Sequence, residues 1–227
     1  LPEGDVLSIN FMEVISFVDD SESLDEQNSP GLQFIFQRQT MFGNFGILDL
    51  SGKNLTGEEV AEELRGRQLN NQPVYSLVLS NSRIHGMSVS TFEPVETTLK
   101  ALHMDNCSVS LDAFNRLTNL RFLNLSNTGL ATFEWYPQLQ DTLEVLDLSH
   151  NQLAEVRPEL SALTSLRELY LSYNWIKSVN EYPLILLPNL EVISLTMNLL
   201  DNATFASLQN LVQVDLDWNY LWRFGDE

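Results

Sequence analysis

Between positions 45 and 221 the chain repeats one arrangement of apolar and polar positions eight times. Each copy opens on an apolar residue, at Phe45, Val74, Leu99, Leu120, Leu143, Leu166, Leu190 and Leu211. Further apolar residues follow three, five and ten positions later, as in Leu146, Leu148 and Leu153 of the fifth copy. All 32 of these framework slots are apolar in a chain of 44% apolar content, an outcome with a chance of roughly 10⁻¹¹. The alternating centre of each copy predicts a short strand whose inward residues stack on those of its neighbours. Strands from successive copies then lie about 4.8 Å apart in a parallel sheet, and the longer segments return along the outside. A ninth-position side chain is needed to hydrogen-bond backbone groups that the sheet leaves unpaired in the turns. Asn151, Asn174, Asn198 and Asn219 fit this role, Cys107 and Thr128 substitute for it, and Ser82 and Lys53 depart from it. The amino-terminal turns are therefore expected to be less regular.

With copies 21 to 29 residues apart, these residues resemble the leucine-rich-repeat family over positions 45–221. The resemblance implies an α/β fold: a right-handed solenoid curved into a horseshoe, with a parallel β-sheet on its concave face. Several copies also carry Phe and two leucines after the strand, as in Ala113-Phe114 to Leu117 and Leu120, and Thr204-Phe205 to Leu208 and Leu211. This is similar to the "typical" subclass of extracellular receptors and secreted recognition proteins, including innate-immune repeat proteins of insects. That subclass usually has disulfide caps, whereas the single Cys107 permits no intrachain disulfide.

Both ends of such a stack need a cover. Residues 1–44 are read as an amino-terminal β-rich cap, with strands in Val6 to Val18 and Leu32 to Phe42 around the acidic stretch from Asp19 to Glu26. Thr56-x-x-Glu59 is a capping box that opens a helix through about Arg65, with Val60, Ala61 and Leu64 facing inward. Residues 222–227 are too few for a cap. Either a longer chain was cut there, or Leu221, Trp222 and Phe224 meet a partner or a second copy in a homodimer.

Charge narrows the partners. With 31 acidic against 12 basic residues the net charge is −19, which repels nucleic acid and anionic membranes and favours a protein ligand with a basic surface. No apolar run is long enough to span a membrane, and the start shows no signal peptide. One cysteine leans towards the cytoplasm, while N-x-S/T sequons at Asn54, Asn106, Asn124 and Asn202 lean towards a glycosylated extracellular, secreted or cell-surface ectodomain.

The fifth, seventh and eighth positions of each copy are read as facing solvent on the sheet. In the late copies Tyr170, Tyr173, Met197 and Trp218 gather beside Asp147, His150, Asp215 and Asp217. Exposed rings next to carboxylates form a candidate binding site for a partner carrying Lys or Arg; the alternative is scattered surface residues with the site elsewhere. Catalysis lacks its parts. The histidines are His85, His103 and His150, and Cys107 sits inward in an acidic protein without a base beside it. Asp147 with His150, or His103 with Asp105, offers no third metal ligand, and no cofactor fingerprint occurs. The expectation is a recognition module, not an enzyme, that holds neither metal nor cofactor. The alternative is an acidic inhibitor of a basic enzyme, similar to the repeat proteins that inhibit ribonucleases or phospholipases.

Overall fold

A computed structural model of the chain describes residues 46–133, 137–179, 181–203, 205 and 208–221. Every described residue lies in one compact unit, Met41–Glu227. The expected cap strands, Phe45 and residues 222–227 fall outside the described residues.

Each copy delivers one three-residue strand: β1 Ile47–Asp49, β3 Ser76–Val78, β5 Ala101–His103, β6 Phe122–Asn124, β7 Val145–Asp147, β8 Glu168–Tyr170, β10 Val192–Ser194 and β12 Gln213–Asp215. These form one parallel sheet in chain order, with Leu48, Leu77, Leu102, Leu123, Leu146, Leu169, Ile193 and Val214 paired in succession. All but Val214 are buried. Each leucine is covered by the equivalent residue on either side, which is why no copy can bury its apolar face alone. At the eighth copy Leu211, Val214, Leu216 and Leu221 are only partly buried, since among the described residues no strand follows β12.

The return segments carry short 3-10 turns, at Glu93–Val95, Leu111–Arg116, Pro137–Leu139 and Pro158–Ala162. Phe92 and Phe114 stack between consecutive copies at 6.3 Å, filling the outer layer. A five-residue helix α2, Glu181–Ile185, takes this place in one copy. Two further parallel pairs form beyond the turns: β2 Asn54–Thr56 with β4 Arg83–His85, and β9 Ser178–Val179 with β11 Asn202–Ala203. The long first copy contains helix α1, Gly57–Leu69. Its capping box is formed: the Glu59 N–H donates to the Thr56 hydroxyl oxygen, and the Thr56 N–H donates to the Glu59 carboxylate at 2.7 Å. The Thr56 N–H, and then the Thr56 hydroxyl that donates to the same carboxylate, hold the Glu59 carboxyl below its usual range. Val60, Ala61 and Leu64 are fully buried, as expected. The helix runs four residues past Arg65, with Arg67 in its last turn and the Asn70 amide on the Gly66 carbonyl. A Cβ at Gly57 would lie 2.7 Å from the Gly86 carbonyl oxygen, so glycine permits α1 to start against the next copy.

The ninth-position ladder explains the turns. Asn174 donates through Nδ2 to the Leu148 and Leu171 carbonyls and accepts from the Leu153 N–H, tying two adjacent copies together. Asn151, Asn198 and Asn219 repeat the pattern. Cys107 Sγ donates to the Leu79 carbonyl, and Thr128 Oγ1 donates to the Leu125 carbonyl. Ser82 corrects the expectation. It is buried, its hydroxyl donates to the Leu50 carbonyl, and its oxygen accepts from the Lys53 N–H. A hydroxyl both donates and accepts, so serine performs the asparagine's task over a shorter reach. Lys53 is exposed, as a departure from the ladder implies.

Candidate functional site

Between the end of each strand and its ladder residue the backbone turns through one left-handed position. The eighth residue of all eight copies has positive φ: Gly52, Asn81, Asn106, Asn127, His150, Tyr173, Met197 and Trp218, from +53° to +69°. The first four are glycine and asparagine, which accept this conformation readily. The last four are large side chains, for which it costs roughly 1–2 kcal/mol each. In the early copies the column is an amide ladder, with Asn127 donating to Asn106 and Asn106 donating to Asn81. In the late copies it becomes rings and a thioether, with His150 stacked on Tyr173 at 4.1 Å.

The eight predicted binding residues divide between two places. His150, Tyr173, Met197 and Trp218 share the turn edge and are exposed, Trp218 at 77%. Asp217 is also exposed, and its carbonyl accepts from the Met197 N–H. Asp147, Tyr170 and Asp215 lie instead on the sheet in the fifth-position column, paired Asp147–Tyr170–Ser194–Asp215. Tyr170 is half-buried and donates its hydroxyl to Glu168 at 2.7 Å; burial, then the neighbouring Glu168, pushes its phenol up. Asp215 is half-buried and accepts from Gln213.

Asp147 requires correction as an exposed acid: it is 5% exposed, and its carboxylate accepts from the Ser149 N–H. Asp49 and Asn124 make the same contact two residues on. The side chain curls towards the end of its strand to satisfy an N–H, rather than extending from the sheet. The fifth-position column is accordingly more buried than a solvent-facing surface would be. Asn124 is 1% exposed, so its sequon presents no accessible amide in the folded chain, whereas Asn54 and Asn106 are exposed. Asn202 lies on β11.

His103 is the sharpest departure. It is fully buried against Phe122 at 4.6 Å, and neither ring nitrogen has a hydrogen-bond partner. Burial depresses its pKa to about 4. Because the unfolded chain protonates His103 near pH 6.5 and the folded chain only near pH 4, its contribution to stability is complete above pH 6.5 and is lost as pH falls to 4. The loss over that window reaches roughly 3 kcal/mol. Urea melts at pH 7 and pH 4.5 are expected to show a smaller acid penalty in His103→Leu than in the native chain. Equal penalties would mean that the imidazole is hydrated when folded.

The tenth position escaped the reading of columns. Trp175, Leu199 and Tyr220 are exposed there, directly beyond the ladder asparagines. The signal lay in the repeat itself. Flanked by an inward asparagine at nine and an inward leucine at eleven, the tenth residue must point outward.

Burial pushes the Cys107 thiol up, away from nucleophilic use. Among the described residues no three of His, Cys, Asp and Glu gather as metal ligands, and no helix is long and apolar enough to cross a membrane.

Residues 141–184 and 164–207 match the family model for leucine-rich repeats in two copies. Fibromodulin of Sus scrofa is 32% identical over 138 residues, which cover 57% of this chain and 92% of that sequence. The chain belongs to the leucine-rich-repeat family. Other relatives of this leucine-rich-repeat chain are longer. An adenylate cyclase of Schizosaccharomyces pombe is 32% identical over 46% of this chain, and lumican of Gallus gallus is 29% identical over 65% of it. The chain spans 6% of that cyclase and 38% of that lumican. Among solved structures, the TLR13–ssRNA13 complex superimposes with a TM-score of 0.60 at 25% identity, covering 72% of this chain and 24% of the other. The leucine-rich-repeat solenoid is thus common to sequence and structure.

Proposed function

We propose that this chain is a non-catalytic recognition module that binds a protein partner through the turn edge of its last four copies. The observation that supports this most is His150, Tyr173, Met197 and Trp218 held at φ of +56° to +57°. Asparagine serves the same position in the early copies without that conformational cost. A costly backbone state occupied by exposed, ring-rich side chains marks a surface kept for binding instead of stability. Similarity to the typical subclass and the exposed sequons at Asn54 and Asn106 favour an extracellular or cell-surface setting. Single-stranded RNA is part of the TLR13 complex, but a net charge of −19 opposes a polyanion here.

The test replaces Met197 and Trp218 by the residue that the early copies use. Met197→Asn with Trp218→Asn is expected to raise the unfolding free energy by roughly 2–4 kcal/mol and to abolish retention of partners on the immobilised chain. Native and variant chains serve as paired baits for secreted and cell-surface proteins. A partner retained by the native chain alone supports the reading. Identical sets of bound proteins on the two baits would refute it.

A further inference from the structure

We infer that the late copies carry a lateral apolar strip that docks an arginine-bearing segment of a partner polypeptide. This rests on the recognition reading above and extends its site. Tyr173, Trp175, Met197, Leu199, Trp218 and Tyr220 are all exposed, and they occupy the eighth and tenth positions of three consecutive copies. Two columns and three rows result. The rows are fixed by backbone bonds between copies: Tyr173 N–H to Thr196, Met197 N–H to Asp217, Leu199 N–H to Ile176 and Tyr220 N–H to Leu200. Ladder bonds of Asn174, Asn198 and Asn219 lock the residue between the two columns in every row. Adjacent rows therefore stand about 4.8 Å apart on a rigid support, so little ordering entropy opposes docking.

The second-position column of the repeat has the opposite character. There Arg121 pairs with Glu144 and Arg167 with Glu191, so charge is matched within the chain. On the strip, four of six side chains are aromatic, and the acids next to it along the chain are Asp217 and Asp201, both exposed. Arg167 and Lys177 are the cations of copies six to eight among the described residues, and Arg167 is already paired.

Aromatic faces with carboxylates at their margin suit a guanidinium, whose flat, weakly hydrated plane stacks on a ring while its N–H groups reach the acid. Lysine satisfies the charge but not the stacking. A second copy of this chain is a poor occupant, because each copy brings a charge of −19. A nucleic acid is excluded by the same sign.

Calorimetry of the full chain with hexa-arginine, hexa-lysine and an oligouridylate tests the inference. About 0.3 M NaCl shortens the screening length to roughly 5–6 Å, suppressing diffuse attraction by the net charge. The native chain is expected to bind hexa-arginine about tenfold more tightly than hexa-lysine. Trp175→Asn/Trp218→Asn/Tyr220→Asn is expected to erase that preference, and Trp218→Asn alone to reduce it about threefold. The single variant relieves a left-handed backbone position, so folding does not obscure its result. Equal affinities for the two peptides, a preference that survives the triple substitution, or tighter binding of the oligouridylate would each overturn the inference. So would a dimer of the native chain that the triple substitution dissociates. If the asparagine baits lose their partner while the peptides show no arginine preference, recognition stands and the arginine assignment falls.

Discussion

Asn174→Ala is expected to lower the unfolding free energy by roughly 3–5 kcal/mol. The side chain is buried, and its removal strands the Leu153 N–H and takes one of two donors from each of the Leu148 and Leu171 carbonyls, which keep Asn151 and Asn198. The unsatisfied N–H costs about 1–3 kcal/mol and each lost carbonyl bond about 1 kcal/mol, which together outweigh the modest cavity. Asn174→Thr should recover about half of the loss, because Thr128 already performs part of this work in the fourth copy through its hydroxyl. Urea denaturation followed by far-ultraviolet circular dichroism measures both. A loss below about 1 kcal/mol for the alanine variant would show water replacing the carboxamide.

Leu146→Ala is the second large effect, at roughly 3–4 kcal/mol. Leu146 is fully buried between Leu123 and Leu169 in adjacent strands, and a parallel sheet fixed by backbone bonds on both sides cannot close around the void. Val214→Ala, at the same position of the partly covered eighth copy, is expected to cost about 1 kcal/mol. Denaturant midpoints for the two variants provide the comparison. Equal losses would mean that burial within the stack does not set the energy of the spine.

These contrasts explain how much was legible in the residues. The pairing of Leu48 through Val214 follows from apolar residues at fixed offsets, because one set of contacts is repeated and any slip would expose every leucine. The capping box was equally plain, as it is built from residues three apart. The site was legible only where its residues lie in the turn. Tyr173, Met197 and Trp218 are forced outward by the backbone, while Asp147 and Tyr170 choose between solvent and a local donor or acceptor that alternation does not reveal. His103 illustrates the same limit: its burial depends on Phe122 in the next strand, a contact that no single copy contains. The extent of α1 beyond Arg65 depended on its last-turn interactions, which lie outside the apolar pattern.

The left-handed turn at the eighth position has an implication for how such a protein diversifies. It decouples what holds the coil together from what the coil displays: the neighbouring asparagine secures the backbone in the same way whether His150, Tyr173, Met197 or Trp218 stands beside it. Each copy thus offers an independent address at which adhesive character can be written or erased. Moving the aromatic rows to the amide-bearing copies would relocate the gripping edge along the molecule while leaving its interior untouched.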